Sequence, residues 1–264
     1  MENQVFGTDY TVKPLATEFN HPVKKVLLVG NSFMYFNCGV NPMIAGLAKS
    51  KGRTVIMTLA AISGASLYWH DVKSYLRPNG LRSYTFSSDG KNTLEFIKYP
   101  DGKIFDAVVL EDSSQGPIHP ELNKLFAASV AKHVADIRAA GSEPMLMMTW
   151  AYKNRPEMTR QLADAITAEA NRHRVPVAPC GLAFARAQRE LPGVELIRTD
   201  NRHPTVPGTY LEACVFYASF FKETPEGSDF FGKYSDVSVS RETGEALQRV
   251  AWESVCDFNG WDAR

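Results

Sequence analysis

The chain has 264 residues, 44% of them apolar and 22% charged, an ordinary soluble globular composition that is enough for one large domain or two small ones. Lys plus Arg and Asp plus Glu both total 29, so no global field draws the chain to nucleic acid or to an anionic membrane. No apolar stretch approaches the ~20 residues that span a bilayer.

Met1 to Glu18 is largely polar and lacks the basic-then-apolar order of a signal peptide. As it stands the sequence reads as cytoplasmic, and as periplasmic or secreted if a leader was removed. Residues 24–29, 54–60, 105–110, 144–149 and 175–178 read as short apolar strands, the first four without clean alternation. That pattern suits strands covered on both faces, as in a parallel sheet. Asn41-Pro42 with Met43, Ile44, Leu47 and Ala48 starts a helix after the first strand. Residues 82–103, with Asp89-Gly90 between two apolar-polar runs, read as a hairpin insertion.

Further along, Leu122, Phe126, Val130, Val134 and Ile137 give a helical period over 120–140, stopped by Gly141. Met158, Leu162, Ala165, Ile166 and Ala170 do the same over 156–173, with Pro156 near the start. A last helix is expected over 236–257. Alternating strand and helix predicts an α/β fold, a three-layer α/β/α sandwich around a mostly parallel, flavodoxin-like five-stranded sheet. Nothing within 24–222 resembles a linker, so one domain over 1–264 is expected.

Two short motifs carry the chemistry. Val26-Leu27-Leu28-Val29 breaks into Gly30-Asn31-Ser32, which places Ser32 at the carboxyl end of a strand, where ligands bind in open α/β sheets. Far downstream, Asp200 and His203 are three residues apart and can face one way. Asp200 can accept the Nδ1 proton of His203 and leave Nε2 free to take a proton from Ser32. Thr205 then offers an N-cap, and Tyr210, Leu211, Cys214 and Val215 supply the buried face of the helix that follows. Serine, imidazole and carboxylate are the attacker, base and orienter of a nucleophile relay.

These segments resemble the SGNH (GDSL-like) hydrolase superfamily, in particular its poorly characterised bacterial branch, over roughly residues 24–222. Gly30-Asn31-Ser32 is similar to the family's G-D-S block, with Asn in place of Asp. Asp200-Asn201-Arg202-His203 matches its final D-x-x-H block, and Ser63-Gly64-Ala65 its second block. The resemblance implies a serine esterase whose oxyanion is held by the N–H groups of Ser32 and Gly64. The third block departs from the pattern. Where the family carries an asparagine amide, this chain has Glu111-Asp112-Ser113-Ser114-Gln115. An ionised carboxylate cannot donate, so Gln115 or Ser113 is the candidate third donor.

The resemblance further implies a small acyl ester as substrate, in particular an acetylated carbohydrate. Trp150 and Tyr152, after the fourth strand, are expected at the substrate mouth, with Trp69 and His70 as further candidates. No cofactor is implied. The four cysteines, Cys38, Cys180, Cys214 and Cys256, lack metal-ligand spacing, and no H-x-x-x-H or H-E-x-x-H pattern occurs, so no metal site is expected. Two other readings are kept: a carbohydrate-binding module with a compromised oxyanion hole, and a phosphate-binding turn at residues 30–32. The second leaves Asp200 and His203 without a task.

Overall fold

The computed structural model describes residues 10–85, 90–91, 93–97, 103–232 and 235–263. The strands in chain order are β1 (Lys25–Gly30), β2 (Ile56–Ala61), β3 (Arg82–Thr85), β4 (Thr93–Phe96), β5 (Ala107–Leu110), β6 (Glu143–Met147) and β7 (Val177–Ala178). Five of them form a central parallel sheet in the order β2-β1-β5-β6-β7. The other two are the predicted hairpin, β3 paired antiparallel with β4, Arg82 facing Phe96 and Thr85 facing Thr93. Between the two strands, residues 86–89 and 92, Asp89 among them, lie outside the described residues.

Two single turns of helix, α1 (Ser32–Tyr35) and α3 (Val72–Tyr75), lie in the connections. The longer helices are α2 (Val40–Ser50), α4 (Asn123–Ala139), α5 (Met158–His173), α6 (Cys180–Glu190), α7 (Val206–Phe221) and α8 (Arg241–Asn259). Alternate strand side chains point to opposite faces of the sheet, and both faces are covered. Val26, Leu28, Val109 and Met145 pack against α2, α6, α7 and α8. Leu27, Val29, Val108 and Leu146 pack against α4 and α5. This is the expected three-layer α/β/α sandwich. No helix among the described residues is long and apolar enough to cross a membrane. All four cysteines are free thiols, three of them buried.

Two boundaries differ for local reasons, and one helix is unexpected. The strand expected over 175–178 shrinks to two residues. The Val175 N–H bonds back to Ala170 at the end of α5, and Pro176 has no N–H to give. The last helix begins at Arg241, where the Ser240 hydroxyl accepts from the Thr243 N–H, and it ends at the left-handed Gly260. Finally, α6 was not among the expected elements. Only Pro179 separates it from β7, so no turn signal marks its start.

The strand order fixes the position of the site. The chain runs from β1 to β2 on one side and returns with β5 on the other side of β1. The crevice between the carboxyl ends of β1 and β5 is therefore the topological switch point, where ligands settle in such sheets. Ser32 follows β1 and Glu111 follows β5.

Candidate active site

Asn31 turns the chain from strand into helix: its side-chain oxygen accepts from the Phe33 N–H at 3.1 Å and caps α1. The turn is tight. A Cβ at Gly30 would collide with Glu111 Oε2 and with the Met34 sulfur, so any larger residue would have to displace the buried Glu111 carboxyl. Ser32 therefore stands at the mouth of the switch point with 7% of its surface exposed.

The second half of the site is a loop folded on itself. Ile197 bridges Pro204, Arg198 N–H bonds to the His203 carbonyl at 2.8 Å, and Asn201 takes a left-handed φ of 68° at the tip. Thr205 caps α7 as expected, its hydroxyl accepting from the Gly208 N–H at 3.2 Å. Within this loop Asp200 Oδ2 lies 2.7 Å from His203 Nδ1. The other carboxylate oxygen accepts from the backbone N–H groups of Arg202 at 3.1 Å and His203 at 3.0 Å. Partial burial pushes the Asp200 carboxyl up, but these hydrogen bonds outweigh it and hold the pKa at about 2.

The two halves meet. Ser32 Oγ and His203 Nε2 are 2.8 Å apart, although 171 residues separate them in sequence. Rings fix the imidazole between them. Phe36 stacks on it at 4.1 Å between centroids, and Phe33 meets it edge-on at 5.9 Å. Phe33 in turn stacks on Trp150 at 4.4 Å, and Trp150 on Phe184 at 4.1 Å. Asn37 completes the joint, its amide donating to the Pro204 carbonyl at 3.1 Å and the Thr209 hydroxyl at 2.8 Å.

Beneath the Ser32 turn lies Glu111, which is wholly buried. Burial pushes its carboxyl well above the usual range, and the Asp112 charge adds to that, while two hydrogen bonds from Asn31 pull the other way. Ser113 Oγ accepts from the Ser66 hydroxyl at 3.0 Å, and Gln115, half-buried, opens the 3₁₀ turn Gly116–Ile118. Gly64 is solvent-exposed at φ 69° in a turn closed by the Ala65 N–H to the Ile62 carbonyl at 3.1 Å.

Two of the expected substrate contacts are corrected. Trp150 is not at the mouth. It is fully buried in the ring stack, its indole N–H donating to the Arg202 carbonyl at 2.8 Å. His70 is also buried, and its Nε2 lies 3.0 Å from the Gly30 carbonyl. A carbonyl only accepts, so Nε2 carries the proton and Nδ1 accepts from the Tyr75 hydroxyl at 3.3 Å. Both residues hold the site from behind. Trp69 is 55% exposed, next to an exposed Tyr68. Tyr152 is half-buried, with its hydroxyl 2.6 Å from Ser114 Oγ. Sequence reasoning missed Asn37 and the bonds from Asn31 to Glu111. The only signal for the latter is an acid at the end of an otherwise apolar strand.

No family model matches the chain, and no curated protein matches it. Solved structures do. A DUF4886 family protein from Bacteroides uniformis superposes with a TM-score of 0.64 at 20% identity, over 90% of this chain and 97% of that one. A candidate SGNH hydrolase from Slackia heliotrinireducens gives 0.55 at 22% identity, over 75% and 98%. The chain has the SGNH-hydrolase fold. Axe2, an acetylxylan esterase from Geobacillus stearothermophilus, shares it with a TM-score of 0.53 at 14% identity, over 76% of this chain and 96% of its own. In this SGNH fold, Ser32 and the Asp200–His203 loop lie together at the carboxyl end of the sheet.

Proposed function

We propose that this protein is a serine ester hydrolase of the SGNH type. The observation that supports it best is the continuous series Ser32 Oγ, His203 Nε2 at 2.8 Å, and His203 Nδ1 to Asp200 Oδ2 at 2.7 Å. Each distance is within the range for direct proton transfer or charge-assisted hydrogen bonding.

In this reading Ser32 Oγ attacks the ester carbonyl carbon while His203 Nε2 takes the hydroxyl proton. The imidazolium so formed is balanced by Asp200, whose low pKa keeps it ionised. The tetrahedral oxyanion is held by the N–H groups of Ser32 and Gly64. As the intermediate collapses, the proton on Nε2 passes to the departing alcohol and leaves an acyl group on Ser32. Water then attacks the acyl-enzyme, giving its proton to His203. The acid departs and Ser32 regains its hydrogen.

Gln115 or Ser113 supplies the third donor. Losing one oxyanion donor costs about 10²–10³ in kcat, so comparing Gln115→Ala with Ser113→Ala separates the two. A small acyl group on a carbohydrate is the substrate class we favour. The exposed rings of Tyr68 and Trp69 offer flat apolar faces for a sugar, and acetylxylan esterases are among the proteins of similar fold.

A fluorophosphonate probe followed by peptide mapping tests the reading before any substrate is known. The label is expected on Ser32 and absent from Ser32→Ala. A wild-type protein that stays unlabelled yet binds glycans would instead support the binding-module reading, which rests on the acids in the third block.

A further inference from the structure

The Ser32 turn is gripped from below by one buried carboxyl. Glu111 Oε2 accepts from the Asn31 backbone N–H at 2.8 Å, and Oε1 accepts from the Asn31 side-chain amide at 2.7 Å. The same amide nitrogen also reaches the Ala65 carbonyl at 3.0 Å and, at 3.4 Å, the Asp112 carbonyl. Asn31 Oδ1 caps the Phe33 N–H. One side chain thus ties together the turns after β1, β2 and β5.

Residue types at 31 and 111 require each other here. An aspartate at 31 would set a carboxylate oxygen against the Ala65 carbonyl and leave Glu111 Oε1 without its amide donor. An amide at 111 would face one of the two Asn31 N–H groups with an N–H of its own. The two departures from the SGNH pattern, asparagine for aspartate in the first block and a carboxylate at the head of the third, are therefore halves of one interaction.

Building on the esterase reading, we propose that Glu111 is a positioning residue for hydrolysis. Acting through Asn31, it holds the turn carrying Ser32 in register with the turn carrying Gly64, so that nucleophile and oxyanion donor keep their spacing. Small misplacements of such groups can cost about 10²-fold in rate. Substrate binding, which depends on the outer surface, is little affected.

The test compares wild type, Glu111→Gln, Asn31→Asp and the double variant N31D/E111Q on p-nitrophenyl acetate, with rates normalised to sites titrated by a fluorophosphonate. Each single variant is expected to lose kcat by about tenfold or more with KM within about threefold. The double variant is expected to be faster than either single one. Its carboxylate at position 31 keeps the cap on Phe33 and accepts from the amide introduced at position 111. The oxygen of that amide accepts in turn from the backbone N–H of position 31. Recovery is incomplete because the Ala65 carbonyl loses its donor.

A Glu111→Gln enzyme with wild-type kcat, or a double variant no faster than the single ones, overturns the proposal. Should a single variant fail to fold, the double variant decides: folded with at least about a hundredth of wild-type kcat it supports the coupling, and otherwise it refutes it. A wild-type protein that neither labels nor hydrolyses sinks the esterase reading itself, a result separable from both.

Discussion

The indole N–H of Trp150 donates to the carbonyl of Arg202 at 2.8 Å, so the buried ring stack Phe184–Trp150–Phe33 ends on the residue that precedes His203. A ring the sequence places near the substrate is thus a brace for the imidazole. Trp150→Phe keeps the stack but strands a carbonyl, a loss of about 0.5–1.5 kcal/mol. We expect kcat to fall by about tenfold with KM little changed. Trp150→Ala should cost about 3–5 kcal/mol of stability. Steady-state kinetics and denaturant midpoints check both.

Asp200 titrates at about 2, so it stays ionised across the working range and the acid limb of kcat/KM belongs to another group. Asp200→Asn removes the anion that orients His203, and kcat should drop by about 10³–10⁴. An Asp200→Asn enzyme that keeps kcat within about tenfold of wild type in steady-state assays would show that the carboxylate does not support the imidazolium.

Glu212, on α7, is wholly buried, and neither carboxyl oxygen has a hydrogen-bond partner among the described residues. Burial raises its pKa well above the ordinary 4.5, and the Glu111 charge raises it further. A raised folded pKa means stability that is complete below about pH 4.5 and is lost as pH rises through the folded value. Glu212→Gln removes that slope. Its melting temperature should exceed wild type by roughly 3 °C or more at pH 9, with a smaller gain at pH 4. Equal gains at both pH values would contradict this.

His70 works with the opposite sign. Burial lowers its pKa from 6.5, its bond to the Gly30 carbonyl raises it, and nearby His133 lowers it again. A depressed folded pKa gives stability that is complete above about pH 6.5 and is lost as pH falls through the folded value. His70→Gln can still donate to Gly30 but does not titrate. Urea midpoints at pH 7 and pH 5 should therefore differ less in the variant than in wild type.

What could be read from sequence was local or periodic. Asp200, His203 and the Thr205 cap lie within six residues, so their spacing alone aligns them, and the strands of the sheet announce themselves by Val, Ile, Leu and Met. What stayed hidden depended on partners remote in sequence. The burial of Trp150 is decided by Phe33 and Phe184, and the role of Glu111 by Asn31, 80 positions away. The sequence shows Glu111 only as a poor oxyanion donor, whereas Asn31 offers it two N–H groups and requires an acceptor. Helix α6 stayed hidden because it follows the two-residue β7 with only Pro179 between them, so no turn separates strand from helix.

Base and orienter share one short loop, and within the relay it is the contact between Ser32 and His203 that joins remote positions, 171 apart. Assembling the proton relay therefore takes a single long-range closure, in which the loop of Asp200 and His203 docks on the turn of Ser32. Reactivity of Ser32 toward an electrophile is consequently a census of completed molecules, since an incompletely docked chain carries the alcohol without its base.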